Sequence, residues 1–138
     1  MKQTIEVRKA IAADAARAWS IVRTGENVHL WFPAITSCRR EGDKRHCTMA
    51  GGGDLHETIT GSNDATRTFS YVVEKHPLPV GTINASMQVR EAGAGRAEII
   101  WWAEFEGEDT AVAQAARTLE DLYAQGIDSL EAFACKAA

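Results

Sequence analysis

The stretch TAVAQAARTLEDLYAQGIDSLEAFA, Thr110 to Ala134, decides the fold. Val112, Ala116, Leu119, Tyr123, Ile127, Leu130 and Ala134 recur at the three- and four-residue steps of one helix face. Gln114, Arg117, Glu120, Asp121, Gln125, Asp128 and Glu131 hold the other face. The helix is about 25 residues long, or ~37 Å at about 1.5 Å per residue. Glu108 and Asp109 at its start complement the positive end of its dipole, and Lys136 matches the far end. Gly126 interrupts it at a cost of about 1 kcal/mol relative to alanine. Beside Tyr123 and Ile127, that glycine either leaves room for a ligand or permits close packing. A helix with one apolar stripe must lie on another layer. What precedes it reads almost entirely as strand.

Working back, Ala97 to Glu106 alternates, with Ile99, Trp101, Ala103 and Phe105 inward. Ile100 and Trp102 fall on its polar face, where a partner subunit or another part of the chain would have to cover them. Thr82 to Arg90 places Ile83, Ala85, Met87 and Val89 on one face. Thr66 to Glu74 does the same with Phe69, Tyr71 and Val73. Between these two lies the proline-stiffened loop Lys75 to Gly81, which carries His76 and Leu78. Leu55, Glu57 and Ile59 share a face in the strand Leu55 to Gly61, so a carboxylate sits on an apolar side. Unpaired burial would cost it several kcal/mol or force it to protonate. It therefore has a partner, lines a solvated cavity or stands at a sheet margin.

Ile35 to Glu41 and Lys44 to Ala50 flank Gly42-Asp43, a glycine-first turn that suits type II′. That register sets Cys38 opposite Cys47. A cross-strand disulfide is geometrically conceivable, and two small residues packed side by side is the plainer reading. Gly51-Gly52-Gly53 lacks the context of a phosphate loop and reads as a connection or a lid. Gln3 to Lys9 is a first strand, and Ala13 to Arg23 a short helix with Asp14 at its start and Thr24-Gly25 at its end. Glu26 to Trp31 suggests a second short helix, stopped before Pro33. Core packing is the plain reading of Trp19, Trp31 and Phe32.

The sum is an α+β chain. One strand, one or two short helices, six further strands as an antiparallel meander, and the long helix across the curved sheet form a single domain, residues 1–138. Composition fits this: 45% apolar and 25% charged residues. A net charge of -4 argues against a nucleic-acid partner. No run of about 18 apolar residues exists, so no membrane span is expected. The opening MKQTIEVRKA lacks the apolar core of a signal peptide. With Cys38, Cys47 and Cys135 lacking a metal-site spacing, reduced thiols in a cytoplasmic protein are expected. His29, His46, His56 and His76 lie on different elements without ligand spacing, so no metal or other cofactor is expected.

The element order is that of the helix-grip fold. The chain also resembles the SRPBCC superfamily of birch-pollen-allergen and START-like proteins. It looks most like the bacterial polyketide cyclase/dehydratase-like branch and the plant abscisic-acid receptors. The residues carrying this are Trp31-Phe32-Pro33-Ala34-Ile35, Glu57-Thr58-Ile59, Arg67-Thr68-Phe69-Ser70-Tyr71 and Leu119 to Phe133. The resemblance implies a ligand cavity between sheet and long helix, bordered by a gate at Met49 to Asp54 and a latch at His76-Pro77-Leu78. Glu57 falls where the receptors place a buried glutamate. Their second-strand lysine has no counterpart here, so nothing obvious neutralises a ligand carboxylate.

The leading expectation is binding of a small hydrophobic molecule, such as a lipid, for transport, sensing or sequestration. Leu55, Glu57, Ile59, Phe69, Tyr71, Leu78, Ile83, Ala85, Met87, Ile99, Trp101, Ala103 and Phe105 would line the site, with Leu119, Tyr123 and Gly126 of the helix opposite. The alternative is a cyclase, dehydratase or related lyase in the same pocket. Glu57, its pKa raised by burial, would be general acid or base, Tyr71 a donor, and His76 a group reaching in from its loop. A third class is an interaction module or homodimer built on the face near Ile100 and Trp102.

Overall fold

The computed structural model describes residues 1–136. The strands are β1 (Lys2–Ile11), β2 (Ile35–Glu41), β3 (Lys44–Met49), β4 (Asp54–Asn63), β5 (Thr68–Lys75), β6 (Ile83–Glu91) and β7 (Ala97–Glu106). The helices are α1 (Ala15–Val22) and α2 (Asp109–Lys136). The sheet has seven strands in the order β1-β7-β6-β5-β4-β3-β2. Every adjacent pair is antiparallel, so β2 to β7 form the expected meander and β1 closes onto β7. Register shifts interrupt β2 against β3 and β4 against β5. Such bulges increase the local twist and help curl the sheet.

Helix α2 buries all seven residues of its predicted stripe, together with Ala115 and Gly126. It lies chiefly along β1 and β7 and leaves the rest of the concave face open beneath it. Helix α1 begins where the Asp14 carboxylate accepts from Arg17 N–H at 2.7 Å. Asp64, in the β4–β5 turn, accepts from Trp19 Nε1 at 2.8 Å and Arg23 Nε at 3.0 Å, tying α1 to the sheet.

The second short helix is smaller than expected, one 3₁₀ turn at Val28–Leu30. Asn27 enters it in the left-handed region, at φ 57°, which breaks continuity with the preceding residues. Gly25 has φ +64°, and a Cβ there would stand 2.7 Å from Phe69 Cζ. That close approach brings the α1-to-3₁₀ segment down onto β5. At the β2–β3 turn, Gly42 has positive φ and Asp43 does not, the type II′ pattern.

Two surface expectations change. Ile100 is buried at 6% exposure although it is outside the main core. It stands between Arg8 of β1 and Gln88 of β6, whose long stems can cover it. Trp102, between Glu6 and Ser86, is half-buried. Cys38 and Cys47 are joined as a disulfide, with a Cα–Cα distance of 4.0 Å, and only Cys135 is a free thiol among the described residues. The turn register sets the two cysteines face to face, so the pair closes in oxidising surroundings, and the expectation of three reduced thiols is left to a reducing compartment. No helix among the described residues is long and apolar enough to cross a membrane.

Candidate functional site

Where α2 lifts away from the sheet, a cavity of about 250 Å³ opens. Its walls come from α1, the Val28 turn, β2 to β7, the loop after β5, and α2. Of the residues expected there, Leu55, Glu57, Phe69, Tyr71, Leu78, Ile83, Met87, Trp101, Leu119 and Tyr123 line it, as does His76.

Ile59, Ala85, Ile99, Ala103, Phe105 and Gly126 do not line it; all six are buried in packing. Ile99, Ala103 and Phe105 lie on β7, where α2 closes onto the sheet. Ile59 packs under Gly25. Ala85, buried, stands between Tyr71 of β5 and Ala103 of β7. At Gly126, a Cβ would stand 2.7 Å from Trp101 Cζ3 and 3.2 Å from Phe32 Cε1, so this glycine serves close packing.

Trp31 and Phe32 line the cavity as well as belonging to the core. Their rings stack at 5.7 Å, and Phe32 meets Trp101 edge-on at 5.5 Å. Trp101 stacks on Tyr123 at 4.2 Å with 4° between the planes. One aromatic wall thus runs from the segment before β2, across β7, to α2. Met49 and Leu55, on either side of the glycine loop, line the cavity, whereas Gly51, Gly52 and Gly53 do not.

The polar part of the site centres on a residue the sequence reading missed. Arg45 on β3 stands opposite Glu57 on β4, and both are buried. Arg45 Nε donates to Glu57 Oε1 at 2.6 Å, and Nη1 donates to the Gly25 carbonyl at 3.0 Å. The guanidinium lies 5.3 Å from the Phe69 ring centroid and 5.0 Å from that of Tyr71, within cation–π range. A cation is therefore present in the cavity after all, and Glu57 is a paired carboxylate. The available signal was alternation: Arg45 shares a face with Cys47 and Met49, both of which line the cavity.

Tyr71 Oη accepts from Trp101 Nε1 at 3.1 Å. The Tyr123 phenol is its close neighbour. Burial, and next the Glu57 charge, push the Tyr71 phenol up to about 12. Burial, and next Tyr71 itself, hold Tyr123 well above its ordinary value. Both phenols remain neutral hydrogen-bonding groups across the ordinary pH range.

His76 does not reach inward as a free acid or base. Its Nε2 lies 2.8 Å from the Gly81 carbonyl, and its Nδ1 accepts from Leu78 N–H at 3.1 Å. The ring staples its own loop, which also holds Pro77 and Pro79. His29 and His56 are outside the lining. The histidines are not all scattered, however: the β3–β4 register brings His46 and His56 together beside Asp54.

Comparison with known proteins agrees with this architecture. The structure superposes on that of an uncharacterized protein from Bacillus thuringiensis with a TM-score of 0.90, at 20% identity, over 96% of this chain and 99% of that one. It is similar to the Zhui aromatase/cyclase of Streptomyces sp. R1128, with a TM-score of 0.84, 13% identity, and coverage of 97% and 94%. It is also similar to norcoclaurine synthase of Thalictrum flavum, solved with dopamine and hydroxybenzaldehyde, with a TM-score of 0.80, 16% identity, and coverage of 100% and 89%. At these identities the likeness establishes the helix-grip fold alone. No match is found among curated proteins. The family model described as polyketide cyclase/dehydrase and lipid transport matches residues 2–134. With nearly the whole chain matched, the protein belongs to the polyketide cyclase/dehydrase and lipid transport family.

Proposed function

We propose that the protein binds a small, largely apolar, ring-bearing molecule in the cavity between sheet and α2, for transport, sensing or sequestration. The observation that carries this reading is the cavity: about 250 Å³, walled by aromatic and aliphatic side chains, with Arg45, Glu57 and Tyr71 together on one side. Mostly apolar walls with a few oriented polar groups are the usual design of such sites. A cavity of about 150 Å³ holds benzene, so this one suits a molecule of roughly one or two rings.

Tyr71 and Arg45 are its hydrogen-bond donors. A guanidinium offers more N–H groups than Glu57 and Gly25 together accept. Because Glu57 already neutralises Arg45, a neutral acceptor such as a carbonyl or hydroxyl fits better than a carboxylate. Leu55, Phe69, Leu78, Ile83, Met87, Trp101, Leu119 and Tyr123 supply the apolar contact. The test is a tryptophan-fluorescence titration with ring-bearing neutral ketones and phenols, since Trp31 and Trp101 both line the site. Saturable quenching, weakened in Tyr71→Phe, is expected. No saturable response to any member, with a filled and dry interior in a crystal, overturns the reading.

A second reading, an enzyme of the cyclase or dehydratase kind, is favoured by the family's description and by the charged pair inside the cavity. In it Glu57 takes or gives the proton, Tyr71 hydrogen-bonds the reacting oxygen, and Arg45 holds the carboxylate in place. His76 drops out of this set because its ring is tied to its own loop. Turnover unchanged by Glu57→Gln would rule the reading out.

In this reading residues 1–138 work as one domain in the cytoplasm. A homodimer on the outer face of β7 is supported by Trp102 alone, now that Ile100 is covered within the chain.

A further inference from the structure

On the opposite face of β3 and β4 from the cavity, the register sets His46 directly across from His56 and Thr48 across from Asp54. Asp54 and His56, two residues apart on one strand, project to the same side. The three side chains therefore meet. The imidazole centroids are 4.6 Å apart, and His46 Nε2 lies 3.5 Å from Asp54 Oδ1. One donor atom from each residue can be chosen so that all lie within 4.8 Å of one another. His46 Nε2 is shielded from solvent and makes no hydrogen bond.

We propose that His46, Asp54 and His56 form a binding site for a divalent transition-metal cation of the zinc type. Two neutral imidazole nitrogens and one carboxylate oxygen suit Zn²⁺ and its first-row neighbours, whereas Ca²⁺ and Mg²⁺ favour oxygen sets. Bonds of about 2.0–2.1 Å to a tetrahedral ion place neighbouring donor atoms ~3.3 Å apart. The His46–Asp54 pair is nearly there at 3.5 Å, and His56, with a donor within 4.8 Å of both, must move closer to complete the set. Both histidines stand on paired strands, which fixes their backbones. Asp54 opens β4 opposite Thr48, directly after the glycine loop. Three protein ligands leave a position for water. Two cations oppose the ion: Arg39, whose Nη2 is 3.5 Å from His46 Nδ1, and Lys75, which the register sets across from His56. The ion binds through Nε2, and Nδ1 then carries the ring proton and releases the Arg39 contact. The bound ion ties β3 to the first residues of β4 across the loop whose flanking residues, Met49 and Leu55, line the cavity.

The experiment titrates the full chain, freed of any affinity tag and stripped with chelator, with Co²⁺, then displaces it with Zn²⁺. One equivalent of Co²⁺ is expected, with weak d–d absorption and no thiolate charge-transfer band. Losing even an outer partner of a metal ligand costs about 10–100-fold in affinity, so His46→Ala and His56→Ala are each expected to weaken binding at least ~tenfold. Asp54→Asn weakens it less, and Cys135→Ser leaves it unchanged. Zn²⁺ should raise the melting temperature of the parent but not of His56→Asn, a second variant kept in case His56→Ala folds poorly. No stoichiometric binding, a thiolate band, or histidine variants that bind like the parent would overturn the site. None of these results bears on the cavity on the other face, so the two proposals fail separately.

Discussion

Arg45 donates from Nε to Oε1 of Glu57 at 2.6 Å, with the two side chains only 7% and 6% exposed. Each charge would be very costly to bury alone. Together they are held by Gly25 from above and by the faces of Phe69 and Tyr71. Gly25 links this pair to backbone geometry. Its carbonyl can reach Arg45 because the residue has no Cβ to collide with Phe69. The polar side of the cavity is thus built by β3, β4 and the turn after α1 acting together.

Removing one member leaves a buried, uncompensated charge. Glu57→Leu and Arg45→Met are each expected to lower unfolding free energy by about 3–5 kcal/mol, and the double variant to recover most of that loss. Urea unfolding of the three variants and the parent measures the coupling. Additive losses would mean that the pair is hydrated and independent in solution.

The protein has two tyrosines, Tyr71 and Tyr123, and both are raised chiefly by burial. For a phenol whose folded value exceeds its ordinary 10.0, the stabilising contribution is complete below that value. It is lost as pH climbs toward the folded value, about 12 for Tyr71. Phenolate absorbance should therefore stay flat through the usual tyrosine range and rise only together with loss of the near-ultraviolet circular dichroism of the aromatic wall. An ordinary titration curve in folded protein would place at least one hydroxyl in contact with water.

The regular elements were legible because each has one dominant period. The stripe from Val112 to Ala134 and the alternation from Ile83 to Val89 both appear buried as read. The Cys38–Cys47 register was legible too, because a two-residue turn leaves one pairing for β2 and β3. Between β3 and β4 the loop from Ala50 to Gly53 permits several registers, so neither the Arg45–Glu57 pair nor the His46–His56 pair could be fixed from spacing. The extent of the cavity was hidden for a different reason. Which inward side chains touch empty space depends on where α2 departs from β7, and the helix period does not encode that departure.

Cys38 and Cys47 face one another at a Cα–Cα distance of 4.0 Å, while Cys135 is exposed near the end of α2. Protein purified without reductant and then denatured should show one reactive thiol per chain with a chromogenic thiol reagent, and three after reduction. A reducing compartment keeps such pairs as thiols, so in-cell alkylation before lysis reports the state during function. Three thiols in the purified, air-exposed protein would show that the facing pair does not close.

Gly126 gives the sharpest packing test. In an exposed helix, replacing glycine by alanine gains about 1 kcal/mol from propensity. Here the added methyl would meet Trp101 Cζ3 at 2.7 Å. The indole has little freedom to retreat, being stacked on Tyr123 and bonded to Tyr71 Oη. Overpacking of this kind costs about 1–3 kcal/mol, so Gly126→Ala is expected to destabilise the protein, and Gly126→Leu more strongly. Because Gly126 does not border the cavity, folded Gly126→Ala should still quench with the same ligands, unless displacement of Trp101 narrows the site. Equilibrium unfolding and ligand titration on the same sample separate the two effects. A stabilised Gly126→Ala would mean that α2 stands further from the sheet than the 2.7 Å approach requires.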